Sequence, residues 1–273
     1  MNGTTVLVIP CRNEYARLRP AAFFDAIARD PSLTFVFVDD GSTDRTDETL
    51  AFLERSSAAI KALYLPRHQG KAEAVRTGVN WALAHTSADF IGFWDADLAT
   101  PLPELKAFVA ALTADASCQA AIGSRWPHLG AHVGRSGGRG LAGAVMHTLI
   151  RTLAQLPVYD TQCGAKLFRR ALAARVFARP FISRWLFDVE LLKRVPPEEL
   201  RRRVREIPLE VWRDVPGSKL RLTDMIRSLV DLVRIARQQK GSDPSGRVRV
   251  VGLEDVVHAS PVGNNGIMRL LNG

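Results

Sequence analysis

Short apolar runs alternate with stretches of helical periodicity over the first 115 residues. Residues 4–9 form an apolar run that Pro10 closes, and residues 35–38, 62–65 and 90–94 repeat the pattern. These read as strands. Between them, residues 14–28 place Leu18, Ala22 and Ala26 at helical spacing, and further helices are expected over about 43–56 and 71–85. Ser42 or Thr43 is the expected N-cap of the second helix. Strand and helix alternating at this spacing predict a parallel sheet with right-handed crossovers. After Ala120-Ala121-Ile122 a Gly- and Arg-rich stretch, 123–143, breaks the rhythm. Residues 143–156, 187–194 and 222–239 then carry helical patterns, and from Gly241 the chain turns rich in Gly, Ser and Pro. The expected organisation is one α/β domain over 1–240, with halves at about 1–122 and 123–240. Residues 241–273 read as a weakly ordered tail. No internal repeat is visible.

Composition narrows the class. A chain of 273 residues with 47% hydrophobic and 24% charged positions suits a globular domain and excludes a disordered one. The net charge of +9 favours a polyanionic partner, whether nucleic acid, an anionic membrane or a phosphorylated substrate, and does not choose among them. Cys11, Cys118 and Cys163 form no CxxC pair and no zinc spacing, so free thiols in a reducing cytoplasm are expected. No secretory leader is visible. The longest apolar stretch, 141–159, is broken by His147, Arg151 and Gln155, so no bilayer-spanning helix is expected.

The candidate chemistry sits at the ends of the apolar runs. Asp95 and Asp97 directly follow one run, and Asp39 and Asp40 open an acidic turn, Asp39-Asp40-Gly41-Ser42-Thr43-Asp44, after another. Both turns fall at carboxyl ends of strands, where open α/β sheets place ligands. Asp-x-Asp alone is a common pattern. After a buried strand it suits a divalent cation shared with a nucleotide diphosphate. Asp39 and Asp40 could accept hydrogen bonds from ribose hydroxyls or a base N–H. Their alternative role is to shape the turn, with Asp40-Gly41 supplying its geometry.

Ile9-Pro10-Cys11-Arg12-Asn13-Glu14, the acidic turn and Asp95-Ala96-Asp97 together resemble family-2 glycosyltransferases of the GT-A fold. Residues 160–168 (Asp-Thr-Gln-Cys-Gly-Ala-Lys-Leu-Phe), 184–192 and 216–220 are similar to dolichyl-phosphate β-glucosyltransferases and their prokaryotic polyprenyl-phosphate relatives. The similarity runs over roughly 4–237. It implies a Rossmann-like, mixed but mostly parallel sheet flanked by helices, with a C-terminal amphipathic helix. It also implies inverting, metal-dependent transfer of a hexose, glucose from UDP-glucose in the first instance, to a polyprenyl or dolichyl phosphate. The alternatives are a glycan or small soluble hydroxyl acceptor, and a nucleotide-sugar-binding protein without turnover.

Residue by residue, the resemblance places Pro10, Arg12 and Glu14 in the nucleotide pocket, with Asp39 and Asp40 at base and ribose. Asp97 is implied to ligate Mg²⁺ or Mn²⁺, with Asp95 at metal or ribose. Ala99 stands where mannosyl relatives often carry Gln, which favours the glucosyl branch. Gly70-Lys71 partly matches a loop near the nucleotide and could meet a phosphate at a helix start; a solvated lysine is the alternative. Arg125, Arg135 and Arg139 fall in the acceptor loop, where guanidinium forks suit a lipid phosphate. Arg125 is counted with Asp97 and Asp188 as catalytic. Gln162, Cys163 and Lys166 are implied to line the sugar cleft on the acceptor side, with no nucleophilic role for Cys163. Trp185 stacks on a sugar or joins the core. Lys219 orders a loop over the diphosphate. Asp188 lies where hydroxyl-using relatives place a base; its alternative is to pair with a cleft cation such as Lys219. The basic amphipathic stretch 222–239 suits an anionic lipid interface or packing on the domain. A peripheral position at the inner face of a membrane follows, and nucleic acid is not expected, because no aromatic platform interleaves the arginines.

Overall fold

The computed structural model describes residues 3–125, 132–134, 156–183 and 186–213. Four strands, β1 (Thr5–Cys11), β2 (Leu33–Asp39), β3 (Ile60–Tyr64) and β4 (Phe90–Trp94), run parallel in the order β3-β2-β1-β4. Beyond β4 the sheet continues through β5 (Ala120–Ser124), β7 (Ala165–Arg169) and β8 (Val204–Pro208), in the order β7-β5-β8. β7 runs antiparallel to both β4 and β5. Its reversal brings its start, beside Gly164, to the edge where β1, β2 and β4 end. A small second sheet pairs β6 (His132–Gly134) with β9 (Val211–Arg213).

Helices cover both faces. They are α1 (Pro20–Arg29), α2 (Thr46–Ser56), α3 (Lys71–His85), α4 (Leu105–Ala114), α5 (Arg170–Val176), α6 (Phe187–Lys193) and α7 (Pro197–Arg203). Successive strand residues point to opposite faces, so the apolar runs divide in two. Val6, Val8, Val36, Val38 and Phe93 pack with Val75 of α3 and Phe187 of α6. Leu7, Ile9, Phe35 and Phe37 pack with Phe23 of α1, Leu50 of α2 and Phe108 of α4. Burial on both faces explains why these strands read as continuous apolar runs. Each such large side chain contributes about 1.5–3 kcal/mol. Gly78 sets how close α3 lies to β1, since a Cβ there would stand 2.4 Å from Val8 Cγ1. That close packing carries Lys71, the first residue of α3, to the sheet edge.

The architecture is the expected mixed, mostly parallel sheet with flanking helices. Local boundaries differ for physical reasons. The helix expected from Glu14 starts at Pro20. Residues 14–18 instead close a turn, with the Leu18 N–H donating to the Glu14 carbonyl at 2.8 Å. Proline disfavours helical geometry at the residue before it, so Arg19 breaks the pattern. α2 starts at Thr46 with no side-chain cap from its flanking residue; Ser42 and Thr43 are used elsewhere. The third strand is Ile60–Tyr64 rather than 62–65. The helix expected at 187–194 is α6. Residues 143–155, the amphipathic stretch 222–239 and the tail 241–273 lie outside the described residues.

Candidate active site

The segments following β1, β2 and β4 converge on the start of β7. The loop after β1 is built on the acidic turn after β2. Asn13 adopts φ 51°, a left-handed conformation that asparagine tolerates. Its N–H donates to Ser42 Oγ at 2.9 Å, and its side-chain oxygen accepts from the Thr43 N–H at 2.8 Å. The Glu14 N–H donates to Thr46 Oγ1 at 2.8 Å. These bonds fix the backbone that carries Arg12 and Glu14, while Pro10 and Arg12 are half-buried and Glu14 pairs with Arg17.

Asp39 and Asp40 both bond within the protein. Asp40 is buried, and its carboxylate accepts from the backbone N–H groups of Gln69 at 2.6 Å and Gly70 at 2.9 Å, with His68 Nδ1 at 2.7 Å. It is therefore the clamp on the loop ahead of α3, and the Gly70 N–H expected at a phosphate is bonded to Asp40. Asp39 Oδ1 accepts from the hydroxyl and N–H of Ser42. Burial raises the Asp39 carboxyl above its ordinary value against those hydrogen bonds.

Asp95 and Asp97 stand at the end of β4. Between them and Ala99 the backbone turns sharply, with Leu98 at φ 52° and the Asp97 side chain accepting the Ala99 N–H at 3.0 Å. A bulky residue in this region marks strain of the kind that collects at functional sites. The Asp95 carboxylate lies against Gly164; a Cβ there would come within 1.9 Å of Asp95 Oδ2. Its other oxygen, Oδ1, accepts from Lys71 Nζ at 2.5 Å. Burial and then the Asp95 charge raise the Asp97 carboxyl, opposed by the Ala99 N–H, Arg17 and Lys71. For Lys71, burial works to lower the pKa, and the Asp95, Asp188 and Asp97 charges outweigh it, leaving the ammonium above its ordinary value.

Asp188 lies in the first turn of α6 and is buried. Its partner among the described residues is Lys166. Lys166 is fully buried and also donates to the Cys163 carbonyl at 2.6 Å, so it anchors Asp188 instead of lining an open acceptor cleft. The reason lies in register: Lys166 sits opposite Phe93 on β7, and its ammonium stands 5.2 Å from the Phe93 ring centre on the helix-covered side. Arg125 also departs from expectation. Its Nε and Nη2 grip Asp160 Oδ2 and Oδ1 at 2.6 and 2.8 Å, and the group stacks 5.5 Å from the Trp212 ring. Burial alone would neutralise this pair, but their mutual hydrogen bonds and charges raise Arg125 and lower Asp160. Arg125 is thus a girder under the site, tied to a buried acid that needs a counter-charge. Gln162 is half-buried beside it, its N–H donating to Asp160 Oδ1 at 3.2 Å. Cys163 is buried, and burial pushes its thiol up to about 11, in keeping with no nucleophilic role. Arg135, Arg139, Trp185 and Lys219 lie outside the described residues.

Three contributors escaped the sequence reading. Asp160 and Gly164 stood in a quoted motif without a role, and Glu190 had none. Glu190 accepts from the Ile182 N–H and from Arg194, fixing the approach to Asp188. No sequence signal separates a buried carboxylate of this sort from an exposed one.

Among the described residues no three His, Cys, Asp or Glu side chains converge as a metal cage. Asp95 and Asp97 nevertheless fit a hard cation that takes its other ligands from a bound diphosphate and water, the usual arrangement for Mg²⁺. The Asp97 carboxyl, raised by burial and then by the Asp95 charge, fits too, because positive charge there would offset both.

Residues 6–177 match Glycosyl transferase family 2. The chain belongs to this family. It is a glycosyltransferase, and its sheet is that of the GT-A fold. Dolichyl-phosphate beta-glucosyltransferase ALG5C of Trichomonas vaginalis is 33% identical over 244 residues, covering 85% of this chain and 70% of that protein. The human dolichyl-phosphate beta-glucosyltransferase is 33% identical over 237 residues, covering 78% and 68%. Among solved structures, Mycobacterium tuberculosis glucosyl-3-phosphoglycerate synthase, in complex with Mn²⁺, UDP and glucosyl-3-phosphoglycerate, aligns with a TM-score of 0.61. That alignment has 20% identity and covers 86% of this chain and 81% of the other, a likeness of fold.

Proposed function

We propose that this glycosyltransferase moves glucose from UDP-glucose, with inversion, onto the phosphate of a polyprenyl lipid of the dolichyl type, using Mg²⁺ or Mn²⁺. The observation that carries this reading is the carboxylate pair Asp95 and Asp97 at the end of β4, held against Lys71 and Gly164. The names of the relatives at 33% identity support the donor sugar and the acceptor. A divalent cation, when bound, supplies positive charge to the departing diphosphate. Asp97 and Asp95 hold it there. Pro10, Arg12, Glu14 and Asp39 line the nucleoside side, and Lys219 covers the diphosphate. Arg135 and Arg139 hold the acceptor phosphate, and Gln162 lines the sugar cleft.

The Lys166–Asp188 pair bears on the acceptor. Were Asp188 to take a proton as general base, the ion pair that balances the fully buried Lys166 would be lost, and an uncompensated buried charge is costly. A phosphate monoester, with a second pKa of about 6, is already largely dianionic at neutral pH. It attacks the anomeric carbon with no base, which suits an Asp188 already engaged by Lys166. Asp188 then orders the cleft through its charge. Reaching a lipid acceptor is consistent with a position at a membrane surface: the chain carries a net charge of +9, and no described helix is long and apolar enough to cross a bilayer.

The test is to incubate the protein with Mg²⁺ or Mn²⁺, a panel of radiolabelled nucleotide sugars and a short polyprenyl phosphate, and then extract lipid. Label from UDP-glucose is expected in the organic phase and absent with Asp97→Ala. Label passing only to soluble alcohols, in a reaction that Asp188→Asn stops, would replace the acceptor with a hydroxyl and make Asp188 the base. Donor binding without any turnover would reduce the protein to a nucleotide-sugar-binding one.

A further inference from the structure

Asp95, Lys71, Asp188 and Lys166 form a chain of alternating charge across the floor of the site. Lys71 Nζ bonds Asp95 Oδ1 at 2.5 Å and feels the Asp188 charge as well, while Lys166 bonds Asp188. The two lysines are held differently. Lys166 is fully buried, with the Cys163 carbonyl as a second partner. The Lys71 side chain keeps 31% of its surface exposed, and its ammonium lies 6.0 Å from the centre of the Phe187 ring. Asp95 Oδ2 lies beside Gly164, and Oδ1 carries the ammonium. A hard cation that takes Asp95 Oδ1 therefore competes with Lys71 for that oxygen.

We propose that Lys71 is a built-in, displaceable occupant of the cation site. It rests on the metal-dependent reading above and adds a regulatory consequence to it. The ammonium neutralises Asp95 beside Asp97 while no cation is bound, and so opposes cation binding to the free protein. A nucleotide diphosphate arriving with the cation offers the released ammonium a new anionic partner. Cation and nucleotide then bind cooperatively, and the free protein stays nearly metal-free. Lys71 acts here as a positioning residue, through Asp95.

Mn²⁺ affinity of the full chain, read from the EPR signal of free Mn²⁺ with and without UDP, tests this without any turnover. Lys71→Met is expected to tighten Mn²⁺ binding in the absence of UDP by about 5- to 150-fold, the span of ordinary site-to-site coupling. The gain in Mn²⁺ affinity on adding UDP should shrink by a similar factor. Lys71→Arg, which keeps the charge, should stay near the unmodified protein. On the unmodified chain, Mn²⁺ with UDP should change the acylation rate of Lys71 relative to Lys61, which gives a readout that holds even if Lys71→Met fails to fold. Unchanged or weaker Mn²⁺ affinity in folded Lys71→Met, or a Lys71 acylation rate indifferent to Mn²⁺ and UDP, overturns the inference and leaves metal binding standing. No Mn²⁺ binding by the unmodified chain even with UDP overturns the metal reading, and this inference with it.

Discussion

Gly164 decides how near Asp95 lies to the strand beside it. Because a Cβ at that position would meet Asp95 Oδ2 at 1.9 Å, Gly164→Ala must push the carboxylate away from where Lys71 and a cation would meet it. A shift of about 1 Å in a reacting constellation costs on the order of 10²-fold in rate. Gly164→Ala is expected to lose activity on that scale while keeping its fold by circular dichroism; activity within twofold of the unmodified enzyme would contradict the placement of Asp95. A second prediction concerns Asp160. Its folded pKa is depressed by Arg125, so its contribution to stability is present above the ordinary carboxylate pKa of about 3.9 and is lost as pH falls through the lower folded value. Asp160→Asn should destabilise the protein at neutral pH by about 3–5 kcal/mol, the cost of breaking a buried pair. Its denaturant midpoint should also lose part of its fall below that pKa. An unchanged acid limb would remove Asp160 as a source of that fall. The sequence made Asp95 and Asp97 legible because two acids after an apolar run are a local pattern. It could not separate Lys166 from a surface lysine, since burial depends on which face of β7 meets α6.

At the scale of elements, the acidic turn after β2 is as much a construction device as a ligand site. Gly41 adopts φ 62°, and a Cβ there would stand 2.6 Å from the His68 backbone nitrogen. Asp40 then clamps residues 68–70, which sets where α3 begins and so where Lys71 points. Asp40→Ala leaves the buried Gly70 N–H and the half-buried Gln69 N–H without their acceptor, at about 1–3 kcal/mol for the buried group. It is expected to lower the urea midpoint of the protein alone, with no nucleotide present. If Asp40 touched only the donor, stability would hold and UDP affinity alone would fall. The parallel strands and the helices between them were readable, because burial on both faces makes apolar runs and one-sided burial makes helical periodicity. The start of α1 was misread since Leu18 continues the helical spacing across Arg19-Pro20. The antiparallel β7 was not seen, because its five residues, Ala165–Arg169, carry a buried lysine that interrupts the apolar pattern.

For the whole molecule, the described residues form a sheet scaffold whose edge collects charge: Asp39, Asp95, Asp97, Asp160 and Asp188 on one side of the balance, Lys71, Lys166 and Arg125 on the other. Asp97 accepts the Ala99 N–H, yet burial and then the like charge of Asp95 push its carboxyl up. That imbalance, set at the mouth of a GT-A sheet, is what a nucleotide-bound cation would resolve. Diffraction at the manganese absorption edge from crystals grown with Mn²⁺ and UDP measures this directly. An anomalous peak is expected between the Asp97 and Asp95 carboxylates and the UDP diphosphate, with Lys71 moved off Asp95 Oδ1. UDP seated in the cleft with no manganese beside Asp97, or manganese bound at some other place, would contradict the account.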